Sequence, residues 1–217
     1  MDIVYLGHAS FKLKGKKSVV VTDPYGEVVG YKFPPGIEAD IVTISHAHED
    51  HNQTGRVSGS PFVVDTAGEY EVGGVSVFGI ATYHDENLGK DRGRNNVFVI
   101  EIDGVKVCHL GDLGHLLSES QVEEINSVDV LLVPVGGVYT VGPSQAVSVV
   151  KQLEPSIVIP MHYKTDDMPE EAFGKLAGVG EFLKAMGVEE KLAPKLSVSS
   201  EKLGENLEVI VLERKSS

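Results

Sequence analysis

Apolar residues come in short runs over the first hundred positions, each broken by glycine, proline or charge. Residues 3–6, 10–14 and 18–22 read as strands, and Gly15-Lys16-Lys17 reads as a hairpin turn. Residues 23–38 hold too much glycine and proline to sustain a helix. Residues 39–44 follow as a buried strand, then 62–64 and 75–80, with Glu71-Val72-Gly73-Gly74 turning the chain between strand pieces. Residues 90–96 read as a polar loop, and 97–102 with 105–110 as a hairpin about Asp103-Gly104.

The pattern then changes. Ser118 with Gln121 three positions on is a capping box that opens a helix. Residues 130–135 are apolar throughout, as in a strand covered on both faces. Ala146, Val147, Val150 and Leu153 have helical spacing within 144–153. Residues 156–159 predict another buried strand, 180–186 a last helix and 207–212 a closing strand, with a frayed tail at 215–217. No internal repeat or linker is visible, which predicts one domain over residues 1–217.

An apolar fraction of 41% suits a chain of 217 residues with a sizeable core. The net charge of −13 argues against general affinity for nucleic acid or for anionic membranes. A single cysteine, Cys108, excludes an intramolecular disulfide and reads as a small buried residue. No signal-peptide pattern opens the chain, and no run reaches the roughly 18 apolar residues of a membrane helix. A cytoplasmic location is the expectation.

Candidate chemistry concentrates in Ser45-His46-Ala47-His48-Glu49-Asp50-His51, directly after the strand at 39–44. Imidazole and carboxylate are the ligand set for zinc and its first-row neighbours. Spacing of the form H-x-H-x-D-H lets one tight loop reach two adjacent metals. A helix would put His46 and His51 on different faces, so a strand end turning into a loop and a helix start is expected. Asp23, His84, Asp112 and His162 recur at the ends of later strand-like runs.

The hexad at 46–51 resembles the signature of the metallo-β-lactamase superfamily. Asp23 in Thr22-Asp23-Pro24, His84 in Thr82-Tyr83-His84, Asp112 in Gly111-Asp112-Leu113-Gly114 and His162 in Met161-His162-Tyr163 match its other motifs in order. Tyr5-Leu6-Gly7-His8-Ala9-Ser10-Phe11 and Gly111-Asp112-Leu113-Gly114-His115 are similar to the compact prokaryotic branch of zinc-dependent hydrolases close to ascorbate-6-phosphate lactonase. The resemblance implies an α/β (α+β) fold, a four-layer αββα sandwich with its metal site at one edge. It also implies two divalent metal ions, with zinc expected and manganese or iron as alternatives. His46, His48 and His84 would hold the first, Asp50, His51 and His162 the second, and Asp112 would bridge them. Asp23 would orient ligand groups by hydrogen bonds. Many true β-lactamases carry cysteine where Asp112 stands, so the carboxylate points instead to a bridged dinuclear hydrolase. The diiron flavoprotein branch has an acid in place of His48.

The expected reaction is attack by a bridging hydroxide on an ester-like, lactone or phosphoester bond of a small anionic substrate. Asp50, His115 and His8 are the candidates for proton transfer, although His8 and His115 also fit as partly buried polar residues. His109, beside Cys108, is expected in the core or behind the ligands. Arg92, Arg94 and Lys164 would suit an anionic substrate, with surface solvation as the alternative, and Tyr139 would form a wall. No nucleic-acid or membrane partner is expected, and assembly into a homo-oligomer is left open. A mononuclear iron dioxygenase and a non-catalytic metal-binding module are the alternative functions.

Overall fold

Alternating side chains let the first strands bury both faces. In β1 (Asp2–Gly7), Ile3 and Tyr5 join one apolar cluster while Leu6 joins another. The same division holds in β3 (Val19–Thr22), with Val20 on one side and Val21 on the other, and in β4 (Ile41–Thr43), with Ile41 and Val42. With β2 (Ser10–Lys14) and β5 (Phe62–Val64), these strands form the first sheet, whose far edge is β13 (Leu196–Ser197). The computed structural model describes residues 1–204 and 206–215, so the end of the predicted tail at 216–217 lies outside the described residues.

The second sheet runs in the order β14-β11-β10-β9-β8-β7-β6. Its strands are β6 (Gly68–Val72), β7 (Val75–Tyr83), β8 (Arg94–Ile102), β9 (Val105–His109), β10 (Val130–Pro134), β11 (Ile157–Met161) and β14 (Glu208–Val209). The larger apolar cluster lies between the sheets and joins Phe11, Val20 and Ile41 to Phe98, Val107 and Leu132. The helices α1 (Glu119–Ile125), α2 (Pro143–Leu153) and α4 (Val179–Met186) follow the predicted spacing, and buried Ala146, Val149, Val150 and Leu153 form the inner face of α2. The layer outside the first sheet is thin. There Tyr25, Val29, Phe33 and Ile37 from the 23–40 loop pack with Phe173 of the short α3 (Glu170–Phe173). Among the described residues, two large sheets, a two-stranded one and few helices make a mixed α/β fold.

Several sequence expectations shift by a few residues. No helix starts after the hexad; a turn follows, then a single 3-10 turn at Thr54–Arg56. Strand β6 was not predicted, because its glutamates and Tyr70 suit a partly exposed edge rather than a core run. Arg94, Asn95 and Asn96 belong to β8 and not to a loop, since they pair with Tyr83, Thr82 and Ala81 of a longer β7. The closing run splits at Ile210: Glu208–Val209 pairs with β11, and β15 (Val211–Leu212) pairs with β12 (Leu192–Ala193). No helix among the described residues is long and apolar enough to cross a membrane.

Strands β3, β4 and β5 are parallel, as are β9, β10 and β11. Their C-terminal ends deliver Asp23, the hexad, Asp112 and His162, following the rule that open α/β sheets place sites outside the carboxyl ends of strands.

The capping box is formed at α1. Ser118 Oγ accepts from Gln121 N–H at 3.2 Å, and Gln121 Oε1 accepts from Ser118 N–H at 3.0 Å. Ser118→Ala is expected to cost about 1 kcal/mol and to lower Tm by roughly 2–4 °C. Thermal unfolding checks this, with metal content unchanged because the cap does not touch the cluster.

Candidate metal centre

Parallel pairing of β3 and β4 sets Asp23 beside the start of the hexad loop, and Asp23 N–H donates to Thr43 O at 2.9 Å. Asp23 is fully buried, with φ of 37°. Its Oδ1 accepts from Ser45 N–H at 2.8 Å. Its Oδ2 accepts from Ser45 Oγ–H at 2.5 Å and from His51 Nδ1–H at 2.8 Å. Ser45 Oγ in turn accepts from His46 Nδ1–H at 2.9 Å. One carboxylate therefore fixes the tautomer of His51 directly and that of His46 through a serine. Nε2 of both rings is left buried with no hydrogen-bond partner.

Those free nitrogens face Asp112. Its Oδ2 lies 3.4 Å from His51 Nε2, 3.3 Å from His84 Nε2, 3.3 Å from His162 Nε2 and 3.9 Å from His46 Nε2. Its Oδ1 is buried without a partner. The backbone of Asp112 is held by Asn95, whose Oδ1 accepts Asp112 N–H at 2.9 Å and whose amide donates to Thr82 Oγ1 and Leu110 O. Gly111, at φ of 54°, is the only residue type that fits before it: a Cβ would lie 2.4 Å from Asn95 Oδ1 and 2.5 Å from Ser45 Cβ. Asn96 ties β8 to the loop by donating from N and Nδ2 to Ser45 O at 2.9 and 3.0 Å.

Among the described residues, three groups have their candidate ligand atoms within 4.8 Å of one another: His46, His48 and His84; His8, Asp50, His51 and His162; and His46, His51 and Asp112. All seven predicted ligands are thus brought together, and His8 joins them. His46 Nε2, His51 Nε2 and Asp112 Oδ1 are buried without a hydrogen-bond partner, an arrangement that a cation completes. Imidazole and carboxylate donors suit zinc and its neighbours.

Charge is distributed unevenly in the cluster. Burial, and then neighbouring imidazoles, lowers His46 to about 3 and His8 to about 4, so both are neutral near pH 7. Burial also opposes charge on His51, but Asp112 and Asp50 outweigh it and raise His51 well above the usual range. Asp112 resists the upward push of burial, because His162 and His51 hold it well below the ordinary carboxylate range.

Other expected residues fare differently. His115 accepts Tyr83 N–H at Nε2 (3.2 Å) and donates from Nδ1 to Leu116 O (2.7 Å), so its ring is committed to the backbone outside the ligand groups. His109 donates from Nε2 to Ala9 O at 2.7 Å and accepts Gly111 N–H at Nδ1, in the core as expected. Lys164 is not a free cation; it pairs with Glu170 at 2.8 Å and donates to Gly174 O at 3.0 Å. Arg94 and Arg92 line a cavity of about 450 Å³ with His46 and His48, and neither forms an ion pair among the described residues. Tyr139 lines an adjoining cavity of about 290 Å³ with His84 and Arg92; its hydroxyl donates to Ala172 O, and Arg92 lies 5.4 Å over its ring.

Sequence reading missed Ser45, Asn95 and Asp85. Buried Asp85 accepts four backbone N–H groups, from Asn87, Gly89, Asp91 and Arg92, and so shapes the loop that carries Arg92. An aspartate ahead of an Asn- and Gly-containing polar stretch was the signal available for it.

Comparison with known proteins identifies the family. A family profile described as a beta-lactamase superfamily domain matches residues 2–162. A UPF0173 metal-dependent hydrolase from Thermococcus onnurineus is 34% identical over 209 residues, covering 82% of this chain and 92% of that one. A crystal structure from Thermotoga maritima, provisionally assigned as a Zn-dependent hydrolase of the metallo-beta-lactamase superfamily, is 39% identical with a TM-score of 0.79, covering 98% of this chain and 99% of its own. A structure from Parabacteroides distasonis, at 19% identity and a TM-score of 0.66, covers 95% of this chain and 91% of its own and shares the fold.

Metal binding must displace the proton that the carboxylates hold on His51, whereas His46 and His8 carry none near neutrality. Metal affinity of the apo-protein is therefore expected to fall as pH drops from about 8 to about 6, with proton release on loading. Chelator competition at the two pH values, with a pH-sensitive dye for the released protons, measures both.

Proposed function

The chain belongs to the metallo-β-lactamase superfamily, and from that premise we propose that it is a metal-dependent hydrolase with two divalent ions, zinc being the expected metal. His46, His48 and His84 would hold the first ion, Asp50, His51 and His162 the second, and Asp112 would serve both. The observation that carries this reading is the position of Asp112 Oδ2, 3.3 Å from His84 of one set and 3.3–3.4 Å from His162 and His51 of the other. Ions bound there supply Lewis acidity and make hydroxide available near neutral pH.

The chain's own residues supply the rest. Exposed His48 and half-buried Asp50 mark the open side of the cluster, where a substrate approaches. Arg92 and Arg94 border that side and suit a small anionic ester, lactone or phosphoester. Tyr139 bounds the neighbouring cavity. Water adds to the carbonyl or phosphoryl centre, the C–O or P–O bond breaks, and the departing oxygen takes a proton. Asp50 is the group placed to pass that proton on, since it alone of the cluster's carboxylates is partly open to solvent, with a side-chain exposure of 20%. His8 is fully buried behind Asp50 and His115 is bound to backbone, so neither is assigned as the acid.

Reconstituted protein is expected to carry about two first-row ions per chain, because seven ligands exceed the needs of one tetrahedral ion. Asp112→Ala should keep the fold, lose one ion and lose most activity in an esterase and phosphodiesterase screen. Elemental analysis with circular dichroism and that screen decides it; a folded variant with full metal and full rate would remove Asp112 from the shared position. Arg94→Ala should raise KM for anionic substrates by about tenfold and leave kcat nearly unchanged, the size of one lost charge-assisted hydrogen bond. Steady-state kinetics with matched neutral and anionic esters reads that difference.

A further inference from the structure

We propose that His8 is a further ligand of the second ion, so that His8, Asp50, His51 and His162 surround that position beside Asp112. The proposal rests on the metal-centre reading and adds to it a residue from the carboxyl end of β1, three strands along the first sheet from β4.

The first argument is spacing. Two ligand atoms each about 2.1 Å from one ion stand ~3.0 Å apart at a right angle, ~3.4 Å at a tetrahedral angle and ~3.6 Å at a trigonal angle. His8 Nε2 lies 3.1 Å from Asp50 Oδ2, and His51 Nε2 lies 3.6 Å from that same oxygen. His51 and His162 stand 3.4 and 3.3 Å from Asp112 Oδ2. The His8–Asp50 pair is a hydrogen bond as it stands, and every one of these distances also fits atoms that share one ion. The candidate atoms of His8, Asp50, His51 and His162 also lie mutually within 4.8 Å.

The second argument is how the backbone aims the ring. His8 follows β1 at φ of 55°, and His162 follows β11 at φ of 51°, a conformation sparsely populated by residues other than glycine. The two corners are joined, because His162 N–H donates to His8 O at 2.9 Å, and their rings lie 4.1 Å apart. Tyrosine hydroxyls clamp the His8 corner on both sides: His8 N–H donates to Tyr31 Oη at 2.9 Å, and Tyr5 Oη donates to His8 O at 3.0 Å. The fold thus delivers His8 and His162 to one point by the same device.

The third argument is what the ring lacks. His8 is fully buried, and its Nδ1 has no partner. His84 and His162 share that pattern, with Nδ1 unpaired and Nε2 turned into the cluster. A histidine placed only to steady Asp50 would need one hydrogen bond and no such convergence.

The test uses the whole chain labelled with nitrogen-15 in its histidine rings and loaded with cadmium-113 ions alone. Scalar coupling between cadmium and nitrogen passes only through a coordinate bond. In the wild type, the His8 Nε2 resonance should be split by cadmium, together with ring nitrogens of His51 and His162. His8→Gln, which keeps a donor for Asp50 but has no imidazole, should lose that resonance and hold its second cadmium more than tenfold less tightly, with the first retained. Should the variant fail to fold, through-bond correlation to the backbone of Gly7 and Ala9 assigns the wild-type resonance instead. An unsplit His8 signal beside split signals of His51 and His162 overturns the proposal and leaves the metal centre standing. A wild-type chain that takes up no cadmium overturns both.

Discussion

A carboxylate enclosed by imidazoles, away from water, is the constraint on which the site depends. Removing such groups from solvent costs several kcal/mol each unless charge and hydrogen bonds offset it. Asp112 and its four histidines meet that condition only with a positive charge among them, either as protons shared with His51 or as bound cations. The surrounding arrangement holds the donors in place while that charge is exchanged. Asp23 and Ser45 fix two rings, Asn95 fixes the backbone of Asp112, and Gly111 lets the two strand ends approach closely enough.

The sheets make this rigidity cheap. Each half of the sandwich contributes a run of parallel strands, and the short loops at their carboxyl ends carry most of the candidate ligands. Side chains on such loops inherit the precision of the strands that precede them. Behind them the core is continuous, with Phe11, Phe98 and Leu132 packed in the cluster that joins the sheets. The peripheral loop from Asp85 to Arg92 is ordered by a different means, one carboxylate that gathers four amides.

Much of this was legible in the sequence because the signals were local. The strands at the start of the chain, the Ser118 cap and the face of α2 follow from spacing within a few residues. The candidate ligands followed from ordered motifs. What escaped depends on partners that the spacing of residues does not name. Asn95 and Asn96 look like loop residues until β7 pairs with them. Lys164 looks like an available cation until Glu170 lies beside it, and His115 looks poised until Tyr83 and Leu116 take its two nitrogens. For polar residues, sequence gives the chemistry on offer, and only the tertiary arrangement shows which partner takes it up.

The joined corners at His8 and His162 bear on how the protein is born. During synthesis the hexad leaves the ribosome more than a hundred residues before His162 does. A nascent chain therefore carries a histidine-rich loop, able to chelate loosely, long before β11 exists to close the cluster. Only when His162 N–H meets His8 O do the first and last contributors lock together. The candidate ligand set is therefore complete only once β11 has been made and its end has closed against the end of β1.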